Sequence, residues 1–388
     1  MRFEFATVTR IIFGPGTISE AASLSGEFGS RAFVVTGRTV ERAKPLLERL
    51  DKHAIQYVTF NVSGEPTTTI AAAAVQAARQ SGCNLVISIG GGSVLDTGKV
   101  VAAMLTNSGE MEDYLEVVGA GRPLTLSAAA HIAIPTTAGT GAEVTRNAVL
   151  SVPEHRVKVS MRSPFMLPRL AVVDPELTHS MPPSVTASTG LDALTQLLEV
   201  YVSGQANPLT DGICREGLSR AGRSLRQAYE DGDDHDARED MAMASLFSGL
   251  GLANAKLGAV HGFAGPLGGM YSAPHGVICA RLLPFVMEAN IQALRGRNAA
   301  SPALAKYDEA ARLLTGSSTA KAADAVTWVR ELCLALKVPS LARFGLKQQD
   351  FETIAAKVKK SSSMKGNPVE LTDDELLDII RAANSPTA

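Results

Sequence analysis

The sequence predicts an N-terminal α/β domain on a mainly parallel sheet, followed by an all-helical C-terminal domain. Three observations carry this. The first half repeats a short apolar strand, a turn with Gly or Pro, and a helix-like stretch. After about Met181 apolar residues recur only at helical spacing. The length of 388 residues exceeds one ordinary core and suits two domains, each of roughly 150–200 residues.

Strand candidates in the first half are Ala32–Thr36, Tyr57–Val62, Leu85–Ile89, Ile132–Pro135 and Leu170–Val173. Helix-like stretches lie between them at about Thr39–Leu50, Thr67–Ser81 and Ser93–Leu105. Such alternation indicates βαβ units with helices on both faces of the sheet. Asp174-Pro175 ends the last strand, because proline restricts the residue before it and has no N–H to donate. Residues 184–203, 207–228 and 237–258 then read as helices, with polar loops at Asp231–Asp236 and Ser361–Ser363. No repeat of 20–50 residues is found. The domains are placed at 1–180 and 181–388, and a cleft between two such domains is a natural ligand site.

Composition excludes several classes of function. Apolar residues make up 45% and charged residues 20%, the balance of a globular protein. A net charge of -2 is not built to neutralise a phosphate backbone, so no nucleic-acid partner is expected. The opening MRFEFATVTRIIFGPG alternates apolar and polar residues and does not read as a secretory signal. Later apolar runs are broken well short of the roughly 18 residues that span a bilayer, so no membrane partner is expected. Cys83, Cys214, Cys279 and Cys333 are scattered, with no C-x-x-C pair and no disulfide-like spacing. A cytoplasmic protein is the simplest expectation.

Two turns carry the first functional signal. Leu85–Ile89 runs into Gly90-Gly91-Gly92-Ser93 and then into a helix-like stretch. Glycines there let backbone N–H groups approach a phosphate, and a helix N-terminus adds partial positive charge. The string lacks G-x-G-x-x-G spacing, and a Walker A loop ending at Gly98 would need Gly where Ser93 stands. A tight turn with a helix capped by Ser93 and Asp96 would explain it without a ligand. However, Ile132–Pro135 leads into a second such turn, Thr136-Thr137-Ala138-Gly139-Thr140-Gly141. Two small-residue loops at the carboxyl ends of parallel strands are where an open α/β sheet binds its ligand. A pyrophosphate is then the better account, which makes this a dinucleotide-binding domain.

The second signal is a carboxylate and two histidines in apolar surroundings. Asp192 lies in STGLDALTQLLEVYVS, with Gln196 on the same helix face. A buried ionised Asp is costly unless paired, hydrogen-bonded or bound to a metal. His261 and His275 lie in LGAVHGFAGPLGGMYSAPHG. His261 closes a helical pattern, and His275 follows a proline in a loop. Taken singly, Asp192 could be an N-terminal helix residue satisfied by backbone N–H groups, and either histidine a hydrogen-bonded core residue. Taken together, Asp, His and His are a ligand set for a catalytic divalent metal with one open position. Such a metal polarises an alcohol or carbonyl oxygen. The spacing leaves open whether the three converge.

The strings GGGSVLDTGK, PTTAGTGAEVT, DPELT, GLDALTQLLEVYVS and GAVHGFAGPLGGMYSAPHGVICARLLPFVMEAN resemble those of the group III, iron-containing, alcohol dehydrogenases. They run in the family's order and extend to about Asn290. The resemblance implies a dehydroquinate-synthase-like arrangement of a nucleotide-binding α/β domain and a helical metal-binding domain. It implies NAD(P)-dependent interconversion of a small alcohol and its aldehyde or ketone, with hydride passing to or from C4 of the nicotinamide. Gly91, Gly92, Ser93 and Asp96 match contacts to the pyrophosphate and nicotinamide. Thr136, Thr137, Thr145, Lys158 and Leu177 match further cofactor contacts. Asp192, His261 and His275 match three ligands of a zinc or iron ion.

Three positions depart from the family's pattern. A family histidine four residues after the Asp is Gln196 here, which offers only an amide oxygen. Tight Fe(II) binding is therefore not expected, and zinc on three protein ligands, or an empty site, is. A family histidine four residues after the first metal histidine is Gly265, so protons must leave by water or another residue. The Asp that favours NAD after the strand Ala32–Thr36 is replaced by Gly37, followed by Arg38. Losing that carboxylate removes repulsion of a 2′-phosphate and Arg38 could pair with it, so NADP(H) is expected to be accepted.

The lost histidines also point toward oxo-acid reductases of the maleylacetate reductase type, some of which work without metal. A dehydroquinate-synthase-like lyase would need a Lys and Arg cluster that is not seen near His261–His275. A non-catalytic nucleotide-binding protein would leave Asp192 unexplained. The expected partner is a small alcohol or aldehyde. An exposed N-terminal strand edge suggests a homodimer or higher homo-oligomer.

Overall fold

The computed structural model describes residues 2–155 and 157–386, which divide into two compact units. One runs from Ala6 to His179 without Ala138–Thr140. The other takes in those three residues, the stretch up to Phe5 and the chain from Ser180 on.

In chain order the first unit contains β1 (Arg10–Phe13), α1 (Ile18–Ser25), β2 (Arg31–Thr36), α2 (Lys44–Lys52), β3 (Gln56–Asn61) and α3 (Thr68–Gln80). Then follow β4 (Leu85–Gly90), α4 (Gly92–Thr106), β5 (Ala130–Pro135), β6 (Asn147–Val152), β7 (Val157–Arg162) and β8 (Leu170–Val173). Six strands form one sheet in the order β1-β8-β5-β4-β2-β3, with every pair parallel. The inner strands are nearly continuous apolar runs because both their faces are covered. Ala32, Val34, Ile87 and Ile134 face α1 and α2 through Ala21, Ala22, Leu46 and Leu50. Phe33, Val35 and Val86 face the other way, onto Ala71, Ala74, Val100 and Val101 of α3 and α4.

The five expected strands are present, with ends shifted by at most two residues. The helix expected from Thr39 starts as a tight 3-10 turn over Val40–Ala43 and becomes α-helical at Lys44, where Pro45 sits in the first turn. Proline is tolerated there because that N–H has no helical partner. The N-terminal strand is β1, at one edge of the sheet, while α1 and the antiparallel hairpin β6–β7 were not anticipated. Asp174 does more than end β8. Its carboxylate accepts the N–H groups of Gly16, Ile18 and Glu176 at 3.1–3.2 Å, pinning the β1–α1 turn to the end of β8.

Among its described residues the second unit is built of helices and turns, with no strand, as expected. These are α5 (Pro183–Val202), α6 (Pro208–Glu230), α7 (His235–Asn254), α8 (Ala259–Met270), α9 (His275–Arg297), α10 (Pro302–Thr315), α11 (Ala322–Ala335), α12 (Phe351–Lys360) and α13 (Asp373–Asn384). Every residue of α5 from Gly190 to Val202 is buried, the mark of a core helix packed on all sides. The expectation that no apolar run reaches membrane-span length needs amending at α9, which qualifies by length and composition. Its apolar 18-residue window contains Arg281 and Glu288, and 78% of that window is buried within the protein, so it packs as a core helix.

Candidate active site

Parallel pairing brings the predicted cofactor residues to one edge of the sheet. Thr36 of β2 is level with Ile89 of β4, and Gly90 with Pro135 of β5. Gly37 and Arg38, Gly91 to Ser93, and Thr136 and Thr137 therefore follow the carboxyl ends of three adjacent strands. The strand order reverses between β2 and β4, since β2 leads to β3 on one side and β4 to β5 on the other. Such a switch point opens a crevice for a ligand. Gly91 lies beside Thr137, whose methyl would be in ordinary contact, at 3.4 Å, with a Cβ placed on it. Gly37 accepts a hydrogen bond from the Asn61 amide through its carbonyl. Arg38 beside it is exposed. Leu177 lies in the turn after β8, half-buried against the same core.

The helix α4 has Gly91 as its N-cap and no side-chain cap, so capping by Ser93 and Asp96 is not what this turn is for. Asp96 Oδ2 instead accepts the N–H of Val149 at 2.9 Å, and Oδ1 accepts from Lys99 at 3.1 Å. The ammonium of Lys99 is fully buried and donates further to Thr145 Oγ1 and Asn147 O, both at 2.8 Å. Asp96 and Thr145 are thus locked together by Lys99, which ties α4 to β6. Sequence reasoning quoted Lys99 within a motif without assigning it a part. Lys158 on β7 is engaged by Glu65 at 2.7 Å, an ion pair that its position in the sequence did not suggest.

The second cluster draws on three helices of the helical unit. Asp192 sits well inside α5, so backbone N–H groups at a helix start do not satisfy it; its Oδ1 has no hydrogen-bond partner. His261 opens α8 and does not close it, and His275 is the first residue of α9 and not a loop residue. A helix can start at or just before each because Gly258 and Pro274 provide the breaks before them. Asp192 Oδ1 lies 3.5 Å from His261 Nε2 and 3.7 Å from His275 Nε2. Cys279, unassigned from sequence, joins them: the four donor atoms all lie within 4.8 Å of one another. Its signal was available as His275-x-x-x-Cys279, one helical turn.

Glu199 orients the cluster. One carboxylate oxygen meets His261 Nδ1 at 2.6 Å and the other accepts the N–H of Val260 at 2.6 Å. Nδ1 is then the protonated nitrogen and Nε2 is left to face Asp192, the arrangement that metal-bound imidazoles require. Gln196 donates from Nε2 to Asp192 Oδ2 at 3.3 Å, while its Oε1 is buried without a partner. Asp192, Gln196 and Glu199 form one stripe on α5, at i, i+4 and i+7. Close backbone approach completes the geometry. A Cβ on Gly276 would stand 2.2 Å from Ser188 O, so only glycine lets the start of α9 sit this near α5.

Charge in the cluster is tightly coupled. Burial opposes ionisation of Asp192, but the positive charge of His275 and His261 wins and holds its carboxyl below the ordinary range. His261 is pushed down by burial, yet Cys279 and Glu199 raise it well above an ordinary imidazole. His275 is raised chiefly by Cys279. Without a metal, protons on the imidazoles compensate the buried anions; a divalent cation does the same work at the orphaned Asp192 oxygen. The residues present fit such an ion.

The family model described as "Iron-containing alcohol dehydrogenase" matches residues 8–175, and that of the "Fe-containing alcohol dehydrogenase family, C-terminal" matches residues 186–384. Alcohol dehydrogenase 4 of Saccharomyces cerevisiae is 34% identical over 379 residues, covering 96% of each chain. The crystal structure of a 1,3-propanediol oxidoreductase superposes with a TM-score of 0.90 at 34% identity, covering 99% of this chain and 100% of that one. Sulfoacetaldehyde reductase from Bifidobacterium kashiwanohense, in complex with NAD+, superposes with a TM-score of 0.87 at 27% identity over 99% of each chain. These relatives favour neither the oxo-acid reductase nor the lyase alternative. The chain belongs to the iron-containing alcohol dehydrogenase family, as an NAD(P)-dependent, metal-assisted oxidoreductase that interconverts alcohols and aldehydes.

Proposed function

We propose that Asp192, His261 and His275 hold the divalent metal, and that NAD(P) lies along the carboxyl edge of the sheet with its pyrophosphate over Gly91, Gly92 and Ser93. One observation carries the metal assignment: three donor atoms from α5, α8 and α9 converge within 4.8 Å around an Asp192 oxygen that has no hydrogen-bond partner. When bound, the metal polarises the substrate oxygen. Glu199 fixes the His261 tautomer and Gln196 positions Asp192. Thr136 and Thr137 border the cofactor, and Asp96 and Thr145 shape its loop through Lys99. Lys158 and Leu177 line the outer parts of the cofactor site. Gly37 leaves room beside Arg38 for a 2′-phosphate, which the guanidinium pairs with. Position 265 is open, with nothing within 4 Å of where a Cβ would stand, so water carries the proton away.

Residues 1–180 serve the cofactor and 181–388 the metal and a small alcohol or aldehyde. The protein works in the cytoplasm, in keeping with four unpaired, buried cysteines. Copies associate through β1, whose outer edge pairs with no strand of its own sheet among the described residues.

Elemental analysis of the purified protein is expected to find one divalent metal per chain, lost in His261→Ala and His275→Ala. Absorbance of the reduced nicotinamide is expected to fall when a short aldehyde is added with NADPH as well as with NADH. Full turnover without metal would sink the ligand assignment. Binding of NADPH far weaker than that of NADH would overturn the role given to Gly37 and Arg38.

A further inference from the structure

We propose that Cys279 is itself a ligand of this metal, so that the fourth protein donor comes from α9 and not from position 196. Its part presupposes the ligands assigned above, Asp192, His261 and His275. Cys279 Sγ lies 3.6 Å from His275 Nε2 and 3.8 Å from His261 Nε2. Asp192 Oδ1 stands 3.7 and 3.5 Å from the same two nitrogens. Four donors at bond lengths of about 2.0–2.3 Å around a tetrahedral ion stand roughly 3.3–3.7 Å apart, and such a shell expands to five when the substrate oxygen joins it. Four of the six separations, 3.5–3.8 Å, are at or close to that spacing, all six are within 4.8 Å, and Cys279 is fully buried. Gln196 is turned to another task, its amide N–H directed at Asp192 Oδ2.

Charge favours the same choice. A carboxylate and a thiolate together neutralise a divalent ion in a largely buried site, whereas an amide oxygen brings no charge. On metal uptake the Cys279 thiol releases its proton to solvent as one metal–sulfur bond forms. A thiolate also softens the donor set, which favours zinc over Fe(II).

The test is spectroscopic and uses the full-length protein. X-ray absorption at the zinc edge of the wild-type protein is expected to show one sulfur at about 2.3 Å beside nitrogen and oxygen neighbours. After chelation and reloading with Co(II), a thiolate-to-cobalt charge-transfer band is expected in the wild type and in Cys83→Ser. In Cys279→Ser that band is expected to vanish while the ligand-field bands persist, with zinc affinity lowered about tenfold or more. A zinc shell of nitrogen and oxygen alone, or a charge-transfer band surviving in Cys279→Ser, would overturn the role of Cys279 and leave the other three ligands standing. A wild-type protein that takes up no metal, indistinguishable from His261→Ala, would remove those three as well.

Discussion

Glu199 holds two donors at once, the imidazole of His261 and the N–H that starts α8, and so joins a helix start to a proposed metal ligand. It was legible in principle, seven residues after Asp192 on the same face, but an anion in LLEVYV reads as an exception until its partners are known. Glu143 is another buried carboxyl group, 2% exposed in the loop after β5. Burial pushes its carboxyl pKa up to about 7, with Lys99 pulling the other way. The folded state thus holds this proton more tightly than the unfolded chain does. The associated stability is whole below about pH 4.5 and is lost as the pH rises through about 7, a change of about 3 kcal/mol. Glu143→Gln is expected to match the wild type in denaturant unfolding at pH 4.5 and to exceed it by most of that amount at pH 8. Equal pH slopes for the two proteins would show that Glu143 ionises freely.

At the scale of elements, the strands were readable because β2, β4, β5 and β8 are buried on both faces and their composition is nearly uniform. The hairpin β6–β7 was missed although Asn147–Val152 alternates buried and exposed side chains. Its strands lie outside the βαβ rhythm and are held by α4 through Asp96 and Lys99. The helix α6 shows how packing decides the worth of a glycine. Gly212 is exposed with nothing within 4 Å of a Cβ, whereas a Cβ on Gly222 would stand 2.9 Å from the Leu314 backbone of α10. Gly212→Ala is expected to stabilise by about 0.5–1 kcal/mol through helix propensity. Gly222→Ala is expected to destabilise by about 1–3 kcal/mol because α10 must move. Thermal unfolding of both variants checks this, and equal shifts would contradict it.

At the scale of the whole molecule, the helical unit is tied at one point by donors from α5, α8 and α9, of which α5 is far from the other two along the chain. A bound metal should therefore stabilise this unit against unfolding, in proportion to the logarithm of its excess over the dissociation constant. Removing the metal from protein held at about a hundredfold excess is expected to cost about 3 kcal/mol, or about 5–10 °C in Tm for a unit of this size. Calorimetry with and without chelator measures it. An unchanged transition would mean that the ligand cluster is preformed without contributing to stability.

By itself the sequence determined the α/β-then-helical order, the two glycine-bearing strand ends and three of the clustered donors. Each of these rests on local chemistry: strand composition, turn residues, and the cost of burying Asp192. Only the tertiary structure decided that His261 and His275 begin helices, that Gly276 lets α9 close on α5, and that Cys279 and Glu199 belong to the same cluster. Those facts depend on donor atoms far apart in the chain reaching within a few ångströms. That convergence is set by helix packing across the unit, which no spacing within a single segment encodes.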